Sequence, residues 1–327
     1  MAQCKSVLVF GATGLVGTHI MRHLLAKKAR FDRIAVFTSR NTVETKSEVV
    51  AQLKAEGVEV ICGELTNADD VKHAYEGIDT VVSAVGRNMI ERQIELIRLA
   101  DEATSVSWFF PSEYGTDIEF SSKSAHEVPH QKKLKVRAAI RGCQNLDYSF
   151  LVTGPYGDGD PGLYFSSNTG AEEAGSFDAT AREAVLLGDG NVPISFTTMN
   201  DVGKFLVLAL LHPAASRNKV LKVNSFTTTD HEILAEFEAQ TGGTSWRTRY
   251  TSIDKLKDLE AAAWTASNPL ATLFTLRRIW AEGGTLYRQR DNHNIDAEHV
   301  VDTLADAVAA AILVQAQGEK EVKRKLT

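Results

Sequence analysis

The stretch that decides the fold lies near the start of the chain and reads Ser6-Val-Leu-Val-Phe-Gly11-Ala-Thr-Gly14-Leu-Val-Gly17. Its apolar first half predicts a short, fully buried parallel strand, and the apolar residues of segment 15–25 recur with the period of a helix. Three glycines lie in the turn between strand and helix. Gly11 permits the tight turn, Gly14 lets the backbone approach a pyrophosphate, and Gly17 lets the helix pack closely on the strand. Because the helix N-terminus also offers free N–H groups to phosphates, this stretch predicts a nucleotide-binding site.

The composition is that of a globular protein with an acidic balance. Among 327 residues, Asp and Glu total 42 and Lys and Arg total 36, so the net charge of −6 argues against a nucleic-acid partner. The three cysteines have no metal-ligand spacing and cannot all pair, which favours a reducing compartment and no metal site. No apolar segment reaches the length of a membrane span, and the first five residues leave no room for a signal peptide ahead of the strand. We therefore expect a cytoplasmic monomer or homodimer that has no membrane partner.

Strand-like and helix-like segments alternate as far as residue 154, which is typical of βαβ units. This alternation predicts an α/β fold with a doubly wound parallel sheet. The predicted strands after the first are Arg33–Thr38, Val58–Cys62, Thr80–Ala84, Val106–Phe110 and Ser149–Val152, and the predicted helices between them lie around Glu48–Glu56, Ala68–Tyr75, Met89–Glu102 and Lys132–Arg141.

Beyond Gly154 the alternation breaks. Residues 155–190 are rich in Gly, Ser, Thr, Asp and Glu, and they predict loops with one short helix. From Asp230 onward the pattern is largely helical, and the mostly charged segment Gly318–Thr327 predicts a frayed tail. The remaining predicted elements are a strand at Val192–Thr197, a helix at Val202–Leu211 and a strand at Lys219–Val223, all expected to rejoin the sheet, and a strand at Ser245–Tyr250.

These patterns predict two parts of unequal size. Residues 1–154 are expected to form the nucleotide-binding domain, with its sheet completed by about residues 190–226. Residues 155–189 and 227–327 are expected to form a smaller, mainly helical, discontinuous lobe. We expect this lobe to bind the substrate and to close over the carboxyl edge of the sheet, where ligands bind in open α/β folds.

Several motifs, in their order along the chain, resemble one protein family. They are Gly11–Gly17, Phe110-Pro-Ser-Glu-Tyr-Gly115, Lys133-Leu-Lys-Val-Arg-Ala-Ala-Ile140, Gly188-Asp-Gly-Asn191 and Thr197-Thr-Met-Asn-Asp-Val-Gly203. Over about residues 5–245 the chain resembles the NmrA-like, isoflavone-reductase-like branch of atypical short-chain dehydrogenases. The resemblance implies a Rossmann domain that binds NADP(H), a substrate lobe, and a small-molecule substrate from secondary metabolism.

The end of the second strand bears on the choice of cofactor. It reads Phe37-Thr38-Ser39-Arg40-Asn41 and lacks the carboxylate that NAD-preferring Rossmann domains place against the ribose hydroxyl. Ser39 can donate a hydrogen bond to a phosphate, and Arg40, with Lys46 nearby, can pair with its charge. Arg40 also matches the family's 2′-phosphate arginine, so the cofactor is expected to be NADP(H). The alternative is that Arg40 is a solvated loop residue.

The resemblance implies further cofactor contacts along the strand ends. The expected residues are Gly11, Thr13, Gly14, Leu15 and Val16 at the pyrophosphate with Gly17 in the same turn, Ser83, Ala84, Val85 and Gly86 along the centre of the dinucleotide, and Lys133, Gly154, Pro155 and Tyr156 beside the nicotinamide. The sequence Thr153-Gly-Pro-Tyr-Gly157 departs from the Asn-Cys-Phe-like stretch of typical reductases in this branch. This departure leaves the substrate open.

The resemblance also implies that Lys133 handles a proton alone. The usual short-chain dehydrogenase pair places Tyr four residues before Lys, but that position is Pro129. Desolvation beside a cationic nicotinamide would lower the pKa of Lys133 and let it exchange a proton near neutral pH. The alternative is a solvated lysine in a lysine-rich run. Tyr114 replaces the phenylalanine usual in its motif, so its phenol either enters the active site or belongs to a core ring with a satisfied hydroxyl.

Aromatic residues beyond the sheet are candidates for a substrate wall, and each could equally be ordinary core. The candidates are Tyr156, Tyr164, Phe165 and Trp280, while Asp117 and His126 border the same crevice without an assigned role. Three functions remain open at this point. The chain could be an NADPH-dependent reductase of a small aromatic or heteroaromatic metabolite, with an imine among the candidate reducible groups. It could also be a non-redox cyclisation or condensation enzyme on the same scaffold, or an NADP(H)-sensing regulator.

Overall fold

The structure of the chain is a computed structural model that describes residues 4–160, 162–167 and 170–326, with side chains as far as residue 318. Within these residues the strands are β1 (Ser6–Phe10), β2 (Arg33–Thr38), β3 (Glu59–Cys62), β4 (Thr80–Ser83), β5 (Trp108–Phe110), β6 (Asp147–Val152), β7 (Ser176–Asp178), β8 (Glu183–Leu187), β9 (Ile194–Phe196), β10 (Lys219–Lys222), β11 (Phe226–Thr228) and β12 (Arg247–Thr251). The α-helices are α1 (Leu15–Ala26), α2 (Arg40–Thr45), α3 (Ser47–Ala55), α4 (Ala68–Tyr75), α5 (Gln93–Glu102), α6 (Gln131–Arg141), α7 (Met199–Leu211), α8 (Pro213–Ser216), α9 (Asp230–Gln240), α10 (Ile253–Thr265), α11 (Ala271–Ala281) and α12 (Leu304–Leu326).

A seven-stranded sheet organises the first two thirds of the chain. Its strand order is β10-β6-β5-β4-β1-β2-β3, and every neighbouring pair is parallel. The chain therefore leaves β1 toward β3 on one side and returns to β4 on the other. The predicted doubly wound parallel sheet is confirmed. Its topological switch point, between β1 and β4, is the place where such sheets bind ligands.

Both faces of this sheet are covered by apolar side chains. Val7 and Val9 of β1 face the core that Ile20 of α1 and Phe205 of α7 complete. Leu8 and Phe10 of the same strand belong to a second core on the other face, which α4, α5 and α6 cover. Because successive strand residues point to opposite faces, a strand buried on both sides needs the continuous apolar run that the sequence shows.

Most predicted elements of this part have the expected place. The strand at Arg33–Thr38 and the helix at Ala68–Tyr75 have the predicted bounds, and the strand predicted at Lys219–Val223 joins the sheet beside β6 as β10. The segment predicted as one helix at Met89–Glu102 begins instead with a 3-10 turn at Arg87–Arg92, ahead of α5.

Two predictions for the later segments are wrong. Segment 155–190 contains β7 and β8, which form a three-stranded sheet with β12, in addition to the expected short helix at Glu172–Ala174. The strand predicted at Val192–Thr197 does not rejoin the large sheet, because β9 pairs in an antiparallel manner with β11. These strands are only three to five residues long. They are stabilised by burying Phe177, Leu186 and Phe196 in a separate aromatic core, which local periodicity does not reveal.

The expectation of a frayed tail at Gly318–Thr327 is also wrong for the backbone as far as Leu326, which continues α12. The side chains of residues 319–327 lie outside the described part. Among the described residues, none of the helices combines the length and the apolar character needed to cross a membrane.

Candidate active site

The three glycines after β1 differ in the room that each leaves for a side chain. A Cβ atom on Gly17 would lie 2.0 Å from the carbonyl oxygen of Gly11, and one on Gly11 would lie 2.4 Å from that of Ala84. At Gly14 the nearest atom to such a Cβ would be the Gly11 oxygen at 3.2 Å. Gly11 and Gly17 therefore serve close packing, while Gly14 has more room, with the Gly11 carbonyl oxygen as its one tight neighbour.

The first turn of α1 presents an anion-binding end. Gly14 is its N-cap and supplies no side-chain cap, and the first turn contains no acidic residue. The free N–H groups and the positive end of the helix dipole thus point toward the space in front of Gly14. Leu15 is exposed and Val16 half-buried at this end of the helix. The predicted pyrophosphate residues lie together here, and their arrangement fits a dinucleotide phosphate.

A cleft of about 340 Å³ extends from this turn across the ends of β1, β2 and β4. Its walls include Gly11, Thr13, Ser39, Val85 and Gly86, all of which the sequence placed at the cofactor. The cleft also reaches the loop after β3 through Glu64 and Thr66, which sequence reasoning did not consider. Shape and position therefore fit the adenosine half of a dinucleotide.

The residues predicted at the 2′-phosphate lie at the rim of this cleft. The Ser39 hydroxyl caps α2 by accepting from the Thr42 N–H at 3.2 Å. Arg40 follows as the exposed first residue of α2. Lys46 donates a 2.7 Å hydrogen bond from its Nζ to the carbonyl of Thr13, so its ammonium already bridges the rim to the glycine turn. Positive charge from Arg40 and Lys46 is thus available near the opening.

The end of β4 is held by backbone contacts. The Ala84 carbonyl packs against Gly11, and the carbonyl of Val85 accepts a 3.0 Å hydrogen bond from the Ser112 hydroxyl. The Ser83 hydroxyl is buried without a hydrogen-bond partner in the described part of the chain. Gly86 is exposed. These contacts fix the strand end beside the glycine turn, where the sequence predicts the centre of the cofactor.

Lys133 lies in the first turn of α6 and reaches the loop after β5. Its Nζ donates a 2.6 Å hydrogen bond to the carbonyl oxygen of Glu113. Its pKa is lowered from 10.5 to about 8, mainly by burial and also by the nearby guanidinium groups of Arg87 and Arg137, while the charge of Glu113 opposes the shift. A lysine with this pKa can exchange a proton near neutral pH.

The loop after β5 is fixed by a buried ion pair. Arg137, one turn after Lys133 on α6, donates to both carboxylate oxygens of Glu113 at 3.2 and 2.9 Å. Both side chains are only 1% exposed. The same guanidinium donates to Glu119 at 2.6 Å. The sequence analysis placed Arg137 and Glu113 within family motifs and gave neither a role at the site.

The two tyrosines near Lys133 have their hydroxyl groups turned away from solvent. Tyr114 is buried in the core, its hydroxyl has no partner in the described part, and burial raises its pKa. The buried ring agrees with the core interpretation, but the hydroxyl is not satisfied as that interpretation required, so the role of this phenol stays open. Tyr156 donates a 2.7 Å hydrogen bond to the Tyr114 carbonyl, and burial raises its pKa as well.

The turn at Gly154 and Pro155 follows β6 and packs against the loop after β5. The N–H of Gly154 donates to the Gly115 carbonyl at 2.9 Å, and the carbonyl of Pro155 accepts from Thr197 at 3.0 Å. Gly154 has a φ of +70°, and a Cβ there would lie 2.4 Å from the Ser195 carbonyl. The structure therefore brings the predicted nicotinamide residues 154–156 next to the loop that binds Lys133.

The remaining aromatic candidates are all buried and differ in what they contact. Tyr164 and Phe165 are 2% and 0% exposed and pack among aromatic rings, so ordinary core describes them. Trp280 is also buried, but its indole N–H donates a 2.8 Å hydrogen bond to the hydroxyl of Thr116, two residues from the Tyr114 backbone. Of these three, Trp280 is the one tied to the loop after β5.

The two residues without an assigned role fall in different places. Asp117 is buried and accepts a 2.9 Å hydrogen bond from Lys222 of β10, and Arg137 lies 3.8 Å away. It therefore anchors the loop. His126 is exposed on a 3-10 turn at Ser124–His126. Arg87, which sequence reasoning missed, follows Gly86 directly and acts electrostatically on Lys133.

Comparison with known proteins places this geometry in a family. The NmrA-like family model matches residues 3–303. The chain belongs to the NmrA-like family. The family resemblance predicted from the motifs is thus confirmed.

Two curated relatives of this NmrA-like protein are named reductases, in agreement with the predicted enzyme class. An isoflavone reductase of Pisum sativum is 27% identical, with 91% of this chain and 94% of the relative covered. The phenylcoumaran benzylic ether reductase Pyrc5 of Pyrus communis is 29% identical, with coverages of 80% and 83%.

A solved structure shares the fold. The NADPH complex of leucoanthocyanidin reductase from Vitis vinifera superimposes with a TM-score of 0.77 at 18% identity, covering 94% of this chain and 99% of that one. That neighbour contains NADPH, in agreement with the predicted cofactor. The cleft and glycine turn of this NmrA-like protein have a geometry that fits the same group.

Proposed function

We propose that this protein is an NADPH-dependent reductase of a small aromatic or heteroaromatic compound of the phenylpropanoid type. The observation that carries the proposal is Lys133, whose ammonium is held by the Glu113 carbonyl beside the strand ends and has a pKa of about 8. Regulators that only sense NADP(H) have no need of such a proton donor. The names of the relatives, isoflavone reductase and phenylcoumaran benzylic ether reductase, support the substrate class.

In the proposed reaction the protein binds and orients NADPH and protonates the substrate. The glycine turn and the α1 N-terminus hold the pyrophosphate, Arg40 and Lys46 pair with the 2′-phosphate, and NADPH supplies a hydride when bound. Lys133 Nζ gives a proton to the substrate atom on which negative charge develops. Residues 1–154, with about 190–226, would act as the cofactor domain, and residues 155–189 and 227–327 as the substrate lobe.

The test is a panel of isoflavones, phenylcoumarans and related aromatic compounds, with an imine included, incubated with the protein and NADPH. We expect NADPH absorbance to fall together with product formation, and NADPH deuterated at C4 of the nicotinamide to place deuterium in the product. Lys133→Met should stop both and leave NADPH binding intact. Product formed without NADPH consumption would instead favour the non-redox cyclisation or condensation enzyme, which the unusual Thr153–Gly157 segment keeps under consideration.

A regulator makes the opposite prediction. Such a protein would bind NADPH, consume none with any compound of the panel, and behave the same after replacement of Lys133. That outcome would refute the reductase proposal.

A further inference from the structure

A chain of contacts connects Lys133 to a buried ion pair on the same helix. Lys133 Nζ donates to the carbonyl oxygen of Glu113 at 2.6 Å, and the carboxylate of that same residue accepts two hydrogen bonds from Arg137. Lys133 and Arg137 are four residues apart on α6, so they share one face of the helix. One loop residue is thus gripped twice by neighbouring turns, through its backbone and through its side chain.

The grip of Arg137 is geometrically strict. A guanidinium that binds a carboxylate through two parallel N–H groups fixes distance and orientation together, which a single point charge does not. The Arg137 guanidinium also donates to Glu119 at 2.6 Å and lies 4.6 Å from the centre of the Phe150 ring. These contacts restrain Arg137, and through the ion pair they restrain Glu113.

The electrostatic surroundings of Lys133 come from several elements. Glu113 on the loop favours the charged ammonium, whereas Arg87 on the 3-10 turn after β4 and Arg137 on α6 disfavour it. His130, on the 3-10 turn before α6, also lies within electrostatic range of Lys133. Glu113 therefore contributes the negative charge that favours the Lys133 ammonium, while its carboxylate is bound by the Arg137 guanidinium in the buried site.

We infer that Glu113 and Arg137 are a positioning pair for Lys133, in which the buried ion pair holds the loop so that the Glu113 carbonyl keeps the ammonium in one place beside the strand ends. The catalytic meaning of this pair rests on the role of Lys133 proposed above. Neither residue needs to touch substrate or cofactor. An ion pair with a purely structural role would support the loop without setting the proton affinity of Lys133.

The test measures the titration of Lys133 without any substrate. Trace acetic anhydride acetylates amines only in their neutral form, so the extent of labelling of each lysine follows its deprotonation between about pH 6 and pH 10. Mass spectrometry quantifies the peptide that contains Lys133, and exposed Lys54 serves as the internal reference for reagent activity. In the unmodified protein the labelling midpoint of Lys133 is expected near pH 8.

Four variants then separate positioning from structure. Glu113→Gln removes the anion and should lower the midpoint by about one pH unit, whereas Arg87→Gln removes a cation and should raise it. Arg137→Lys keeps the charge but loses the two-pronged grip, so it should give a smaller fall. Glu95→Gln, which removes an exposed partner of Arg98, is the matched control and should leave the midpoint unchanged.

The labelling midpoints test the role of Glu113 and Arg137 independently of the proposed reductase activity. If Glu113→Gln and Arg137→Lys both fold and the labelling midpoint of Lys133 in each equals that of the unmodified protein, the inference is overturned. If Glu113→Gln does not fold, Arg137→Lys decides alone. A thermal shift with NADPH, measured on the same samples, reports the cofactor site. Its absence from the unmodified protein would refute the proposed function while leaving the labelling result on the pair valid.

Discussion

The hydroxyl of Tyr156 donates a 2.7 Å hydrogen bond to the main-chain carbonyl of Tyr114. This contact commits the hydroxyl of one candidate residue to the backbone of another and fixes the turn after β6 against the loop after β5. The Tyr114 hydroxyl itself is buried in the core, and burial raises the pKa of both phenols. Neither phenol is therefore poised to lose a proton.

Removing either hydroxyl group should leave turnover nearly unchanged, and the two variants should differ in stability. Tyr156→Phe leaves a carbonyl without its donor and should lower the free energy of unfolding by about 1 kcal/mol. Tyr114→Phe removes a hydroxyl that has no partner in the described part, so it should be neutral or slightly stabilising. Denaturant unfolding and NADPH-dependent turnover measure the two effects. A large loss of turnover in Tyr114→Phe with unchanged stability would return that phenol to the catalytic site.

Replacement of Lys133 should separate chemistry from cofactor binding. Lys133→Met removes the proton donor, so turnover should fall by about 100-fold or more, while the thermal shift with NADPH persists. In the unmodified protein the ammonium is present below its pKa of about 8, so reduction should slow as the pH rises through 8. Lys135→Met, on the exposed side of α6, is the matched control. A rate that is independent of pH between 7 and about 9 would argue against Lys133 as the donor.

The glycine turn predicts opposite phenotypes for two neighbouring substitutions. NADPH should stabilise the native state by about 2.7 kcal/mol at 100 times its dissociation constant. Gly14→Val should keep the fold at a modest cost in stability, because the backbone is extended and a Cβ would lie 3.2 Å from the Gly11 carbonyl oxygen, but it should abolish this stabilisation by occupying the phosphate space. Gly17→Ala should lower stability itself by about 1–3 kcal/mol, because its Cβ would collide with the Gly11 carbonyl. Thermal melts with and without NADPH distinguish them, and a normal shift in Gly14→Val would place the phosphate site elsewhere.

The cationic rim should discriminate between the two nicotinamide cofactors. Arg40→Ala should weaken NADPH binding by about 10- to 100-fold through loss of a charge-assisted contact, and should leave NADH binding nearly unchanged. Lys46→Ala should cost less, because Lys46 is already engaged with the Thr13 carbonyl. Calorimetric titration measures both affinities, with Arg30→Ala, an exposed residue on the 3-10 turn after α1, as the control. Equal losses for NADPH and NADH would contradict the assignment of Arg40.

Asp158 makes stability depend on pH. Burial, together with the nearby carboxylates of Asp160, Asp302 and Asp201, raises its pKa from 3.8 to about 7. The pKa of Asp158 is higher in the folded state than in the unfolded chain. The contribution of its protonated carboxyl to the free energy of unfolding is therefore fully present below about pH 4 and is lost as the pH rises through 7.

Asp158→Asn should therefore raise the free energy of unfolding by about 2 kcal/mol at pH 8 and change it little at pH 4. The Asp158 carboxylate accepts a 3.0 Å hydrogen bond from the Met199 N–H, and the amide oxygen of the variant can accept the same bond. Urea unfolding at the two pH values measures the difference, with exposed Asp32→Asn as the control. An equal effect at both values would show that folding does not raise the pKa of this carboxyl group.

The sequence predicted what is local and missed what is not. A buried strand, a glycine turn and an amphipathic helix are written in consecutive residues, so β1, α1 and the alternation up to β6 followed from periodicity. The partners of the site are distant along the chain: Glu113 and Arg137 are 24 residues apart, and the Trp280 indole meets Thr116 across 164. Contacts of this kind depend on tertiary packing, which no sequence period encodes.

The loop after β5 also limits how this protein can be redesigned. Besides its contacts to α6, it joins Asp117 to Lys222 of β10, Thr116 to Trp280 of α11, and the Asp117 N–H to the Tyr287 hydroxyl. A chimaera that imports residues 227–327 from a relative would bring foreign partners for Thr116 and Asp117 and leave buried polar groups unmatched. Segment exchange to alter substrate preference therefore has to transplant residues 111–117 together with the helices that grip them.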